Sequence, residues 1–106
     1  MKEPMEHGAL TEAVYYILLS LYQPMHGYGI MQNIKELSNG RVSLGAGTLY
    51  GAINTLLEKG WIRPLPSEER SRKKEYEITD TGRSEVNLEI LRLKELIKNG
   101  QAIAGG

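Results

Sequence analysis

The sequence predicts a mainly α-helical domain carrying one small two-stranded β-hairpin, and three observations lead there. Three helix-like segments come first, closed in turn by Pro24, by Asn39-Gly40 and by Gly60. Two short extended runs follow with a polar, basic loop between them, and one long amphipathic segment comes last. With 106 residues, 41% of them hydrophobic and 25% charged, the chain suits a single soluble domain built on one core.

The first helix is expected over Leu10–Gln23, with Thr11 as N-cap, Glu12 in the first turn and Pro24 as the stop. Its apolar side chains point to every side: Ala13 and Ile17 one way, Leu18 and Tyr22 nearly opposite, Tyr16 and Leu19 a third way. A helix apolar all round is buried all round. A chain this small can hardly cover every face, so part of this helix is expected to meet a second subunit. The next segment, His26–Leu37, repeats apolar residues at Ile30, Ile34 and Leu37, and closes at Ser38-Asn39-Gly40, where Asn and Gly accept the left-handed conformation. Arg41–Leu44 reads as a short extended connection. Gly45–Lys59 follows with Leu49, Ile53, Leu56 and Leu57 on one stripe.

Trp61–Leu65 and Lys74–Ile78 read as strands joined by the loop Pro66–Lys73, with Trp61 as a core cap beneath the hairpin. The last helix starts near Thr79-Asp80-Thr81 and runs to about Asn99. It carries Val86, Ile90, Leu93 and Ile97 on one stripe and Leu88 and Leu91 almost opposite. Two apolar faces imply two packing partners. The division expected is a reading domain over 1–78, a dimerisation helix over 79–100 and a disordered tail over 101–106.

Several functional classes are disfavoured. Without cysteine there is no disulfide framework and no thiolate metal site. His7 and His26 lack a metal-ligand spacing, and the paired carboxylates Glu68-Glu69 and Glu75/Glu77 fall in a solvated hairpin, so neither a metal, a cofactor nor catalysis is expected. Gly45-Ala46-Gly47-Thr48-Leu49-Tyr50 has tyrosine where a dinucleotide fingerprint needs its third glycine. No run is long and apolar enough to span a membrane or serve as a secretory signal, so a cytoplasmic protein is expected.

The order helix, helix, helix, hairpin, helix is that of a winged helix-turn-helix domain with a C-terminal helix. If the Leu49 stripe faces the core, the third helix presents Gly47, Tyr50, Gly51, Asn54 and Glu58 outward, with Thr48 and Thr55 at the margin. Such a face lets a helix approach DNA closely. Glycines near its start leave backbone N–H groups for phosphate, Thr48 and Tyr50 offer hydroxyls, and Asn54 has the paired donor and acceptor that suits adenine. The same glycines could instead permit tight helix crossing, and Tyr50 could be a packing residue. Net charge is zero, with 13 cations against 13 anions, yet Arg70, Arg72, Lys73 and Lys74 cluster in and beside the hairpin loop.

His26-Gly27-Tyr28-Gly29, Gly47-Thr48-Leu49-Tyr50, Leu57-Glu58-Lys59-Gly60-Trp61-Ile62 and Arg72-Lys73-Lys74-Glu75-Tyr76-Glu77-Ile78-Thr79-Asp80-Thr81-Gly82 occur in this order, and together they resemble the PadR family of transcriptional regulators, in its short type with one C-terminal helix. The resemblance implies a homodimer joined through its first and last helices, a pseudo-palindromic double-stranded operator, repression, and wing cations Arg70, Arg72, Lys73 and Lys74 on phosphate. Glu75 stands where the family usually has a second aromatic, which sets an anion beside Lys74. Some short members hold flat aromatic drugs between tryptophans of the last helix, but residues 77–106 contain no aromatic, so that site does not carry over. A dimer contact is expected from Tyr15, Tyr16, Leu18, Leu19, Val86, Ile90, Leu91, Leu93, Leu96 and Ile97. Any hydrophobic effector is placed between Tyr15, Tyr16, Leu18 and Leu19 on one side and Leu91, Leu93 and Leu96 on the other. The competing reading is a winged-helix module that binds protein rather than DNA, which the neutral charge favours.

Overall fold

The computed structural model describes residues 8–66 and 73–105. The elements are α1 (Glu12–Ser20), β1 (Met25–His26), α2 (Gly27–Leu37), α3 (Ala46–Lys59), β2 (Ile62–Pro64), β3 (Glu75–Ile78) and α4 (Asp80–Ala104). Thr11 caps α1 by accepting from the Val14 N–H at 3.1 Å. His26 caps α2 in the same way, its Nδ1 accepting from the Gly29 N–H at 3.1 Å. Asn39 and Gly40 take φ of 56° and 80° after α2, and the Gly40 N–H closes the turn on the Lys35 carbonyl at 2.7 Å.

Three features differ from the sequence expectation. The sheet has three antiparallel strands in the order β1-β3-β2, because Met25 and His26 pair with Tyr76 and Glu75 of the wing. A two-residue strand is too short to show a period of two, and Pro24 marks only the break before it. The last helix does not stop at Gly100: it continues to Ala104, so 101–104 of the expected loose tail are helical. An exposed glycine inside a helix costs about 1 kcal/mol, which 25 residues of continuous hydrogen bonding absorb. Finally, Leu18 and Val86, expected at a subunit contact, are 0% and 1% exposed and belong to the chain's own core.

That core gathers Ile17, Leu18 and Leu21 from α1 and its exit, Ile30 and Ile34 from α2, Leu49, Ile53 and Leu56 from α3, the inner face of the sheet, and Val86. Each fully buried aliphatic side chain contributes ~1.5–3 kcal/mol relative to exposure. Between α1 and α2, beside the core, runs a half-buried polar link in which Asn33 donates to the Ser20 hydroxyl and Ser20 donates to the Tyr16 carbonyl. Thus α1 is more completely covered within one chain than its all-round apolarity suggests. The surplus apolar surface lies instead on α4, whose outer half exposes Leu91, Leu96, Ile97 and Ile103. This helix, about 37 Å long at 1.5 Å per residue, accounts for much of the 56 Å longest dimension.

The end of α3 and the start of α4 are tied together. Gly60 ends α3 at φ 75°, and the Trp61 N–H returns to the Leu56 carbonyl. The Thr79 hydroxyl donates to the Gly60 carbonyl at 2.6 Å and accepts from the Gly82 N–H at 3.1 Å, while the Thr79 N–H reaches the Trp61 carbonyl. One side chain therefore serves both helix ends.

Candidate nucleic-acid interface

Placing α3 with Leu49, Ile53 and Leu56 inward leaves Gly47, Thr48, Tyr50, Gly51, Asn54, Thr55 and Glu58 on one exposed face, as the periodicity predicts. Side chains built at Gly45, Gly47 or Gly51 would meet nothing within 4 Å. These glycines therefore do not serve helix crossing within the chain. They leave an uncovered stretch of backbone at the helix start, where N–H groups attract anions.

Tyr50 departs from the rest of this face. It is 44% exposed, but its phenol lies over the backbone of Gly27, where a methyl group would collide with it. His26, Tyr28, Lys73, Lys74 and Tyr76 complete a cleft of about 230 Å³ around this contact. The pairing of β1 with β3 brings these groups together, because it fixes the start of α2 beside the base of the wing. Burial, and next the neighbouring Tyr50, push the Tyr76 hydroxyl above the usual tyrosine range. Lys73 and Lys74 are exposed at the outer lip. Arg70 and Arg72 lie outside the described residues. On the opposite face of the wing, Arg63 pairs across the strands with Glu77, so this arginine is spent within the hairpin.

The residues expected at a dimer or effector surface separate into three groups. Leu18 and Val86 are core. Leu19, Ile90, Tyr15 and Tyr16 are half-buried, the two rings tilted 45° with centroids 6.1 Å apart. Leu91, Leu96 and Ile97 are exposed, with Leu93 half-buried between the groups. Tyr15, Tyr16 and Leu93 line a shallow groove of about 310 Å³ between α1 and α4, together with two carboxylates absent from the expected set, Glu12 and Glu89. Arg41 from the α2–α3 connection grips Glu12, and this hydrogen-bonded pairing holds the Glu12 carboxyl below the usual range. Glu89, only 5% exposed, accepts from Arg92 at 2.9 and 2.5 Å and from the Leu10 N–H at 3.3 Å. Arg92 lowers its pKa against the opposing effect of burial. A carboxylate within the Val86–Ile90–Leu93 stripe was the one sequence signal that could have revealed this anchor.

Among the described residues no group of three or more His, Asp or Glu side chains could hold a metal ion. No helix among them is long and apolar enough to cross a membrane.

A three-helix core, a small antiparallel sheet and an outward, glycine-lined α3 beside a basic wing define the class as winged helix-turn-helix. The model of the Transcriptional regulator PadR-like family matches residues 16–88. The chain belongs to that family of transcriptional regulators and has its winged-helix fold. A PadR family transcription regulator from Clostridium difficile R20291 is similar to it in fold, with a TM-score of 0.73 at 21% identity, covering 87% of this chain and 97% of that one. Another, from Eggerthella lenta DSM 2243, gives 0.68 at 21% identity, covering 86% and 76%. In sequence, 60 residues are 43% identical to a 37.1 kDa protein of transposon TN4556 from Streptomyces fradiae. The match spans 57% of this chain and 16% of that protein's length.

Proposed function

We propose that the chain acts in the cytoplasm as a homodimeric, operator-binding repressor whose DNA affinity is tuned by a small hydrophobic molecule. The observation that carries the reading is the open face of α3: Gly47, Thr48, Gly51 and Asn54 point outward with no internal neighbour to occupy the glycines, and the wing's Lys73 and Lys74 line the cleft bordered by Tyr50 of the same helix. In this reading Asn54 reads a base edge, Thr48 and the helix-start N–H groups take phosphate, and Lys73, Lys74, Arg70 and Arg72 follow the backbone. Tyr50, resting on Gly27, orients the start of α3 against α2 and offers its hydroxyl to phosphate rather than to a base. Repression follows from a bound dimer obstructing a promoter.

The exposed Leu91, Leu96, Ile97 and Ile103 support dimerisation, since several large apolar side chains on the outer half of one helix are costly to leave in water. A two-fold dimer sets its α3 helices about 34 Å apart and matches a pseudo-palindrome.

Selection of duplexes from a random library, followed by titration at several salt concentrations, tests this. An inverted repeat should be enriched. Lys73→Ala with Lys74→Ala should lower affinity on all duplexes and reduce the magnitude of the log–log salt slope by about 0.9 for each phosphate that is no longer neutralised. Asn54→Ala should cost ~1–3 kcal/mol at one base position only. If no duplex is enriched and the lysine variant behaves as wild type, the winged helix serves a protein partner instead.

A further inference from the structure

The cleft between the start of α2, Tyr50 of α3 and the base of the wing holds a polar group that the fold does not use. Tyr76 is 6% exposed and its ring is part of the core, yet among the described residues nothing hydrogen-bonds its hydroxyl. A buried polar group without a partner is costly, and native structures keep few of them. The hydroxyl opens on the cleft, where the electrostatic effect of Tyr50 reaches it, and burial keeps it protonated, hence a donor, at neutral pH. A second donor stands beside it. His26 spends Nδ1 on the Gly29 N–H, so the neutral ring carries its proton on Nε2, and among the described residues that N–H has no acceptor.

The remaining lining fits the same ligand. Capping by His26 leaves the Gly27 and Tyr28 N–H groups without a partner inside α2. Lys73 and Lys74 put two cations at the lip, and no carboxylate is among the described lining residues. Glu75, next to Tyr76 along β3, points to the other face of the sheet because side chains alternate along a strand. At about 230 Å³ the cleft is smaller than the ~300–1,000 Å³ of sites for drug-sized molecules, and it suits a compact anion. We propose that it is a seat for one phosphate group, which takes hydrogen bonds from the Tyr76 hydroxyl and the His26 Nε2–H and is neutralised by Lys73 and Lys74. A backbone phosphodiester of duplex DNA and a free phosphate ester share that chemistry; the first source rests on the operator-binding reading and the second does not. In either case Tyr76 and His26 each serve twice, one as core and floor of the seat, the other as helix cap and donor.

Two variants isolate these donors while sparing the fold. Tyr76→Phe removes a hydroxyl that has no internal partner, so the unfolding temperature should hold or rise. His26→Asn keeps a side-chain acceptor to cap α2 and removes the ring N–H. The full chain is titrated at constant ionic strength with phenyl phosphate and, separately, with a short duplex of arbitrary sequence, while the Gly27 and Tyr28 amide signals are followed by NMR. At least one titrant should shift them saturably, and each variant should weaken that binding about fivefold. A response to phenyl phosphate supports a seat open to free phosphate esters, and a response to the duplex alone supports the DNA backbone as its occupant. No shift with either titrant, or wild-type affinity in Tyr76→Phe, overturns the seat, and wild-type affinity in a folded His26→Asn removes His26 from it. If selection enriches no duplex while phenyl phosphate still shifts the amides, the operator reading fails and the seat stands.

Discussion

The start of α3 and the junction between α3 and α4 are both rich in glycine, yet they use it for opposite ends. At the start of α3, Gly45, Gly47 and Gly51 face open space. At the junction, a Cβ on Gly82 would run into the main-chain carbonyl of Trp61 and the side chain of Ile78. Gly27 resembles Gly82, but what it meets is the movable end of Tyr50. A glycine against backbone is there for the fold; Gly100 of α4 also faces open space, but it stands alone, whereas Gly45, Gly47 and Gly51 gather at one helix start despite a cost of ~0.5–1 kcal/mol for each one inside a helix. That asymmetry supports the proposed reading of the outward face of α3 as the surface turned to DNA.

Substitutions at the two regions should therefore diverge. The largest effect is expected for Gly82→Ala, where rigid backbone blocks the new methyl; thermal unfolding should show a loss of ~1–3 kcal/mol. Gly51→Ala should move stability the other way, by about +0.5 to 1 kcal/mol. It should also weaken binding to the selected duplex roughly tenfold, about 1.4 kcal/mol. A Gly51→Ala protein that binds normally would break the contrast. Thr79→Ala should cost ~1 kcal/mol by removing the cap of α4 and the donor to Gly60, and Thr79→Ser should restore most of it. The smallest effect concerns Glu89. Its folded pKa lies below the ordinary value, so its contribution is present above about pH 4.3 and is lost as pH falls through the depressed folded value. Glu89→Gln should flatten that acid limb of a stability-versus-pH curve measured by denaturant unfolding.

The outward set on α3 was legible because a regular helix has one period, and knowing that Leu49, Ile53 and Leu56 are inside fixes where Gly47, Gly51 and Asn54 point. The caps at Thr11 and the stops at Asn39-Gly40 and Gly60 were legible for a similar reason, since each depends on neighbours within four residues. Leu18 and Val86 were misplaced because helical periodicity names faces and not what covers them. Leu18 and Val86 join one core with residues from every helix and the sheet, and only the packing of those elements decides whether an apolar face is core or contact.

What the sequence determined by itself, then, is the order of elements, most of their limits and the chemistry offered along the outer side of α3, all of which follow from local spacing and backbone preference. The tertiary structure alone decided the pairing of Met25–His26 with the wing, the seat of Tyr50 on Gly27 and the buried grip of Arg92 on Glu89. Apart from the Arg92–Glu89 pair, each joins residues tens of positions apart. Such contacts form only when burying the shared apolar core offsets the entropy of closing the chain between them.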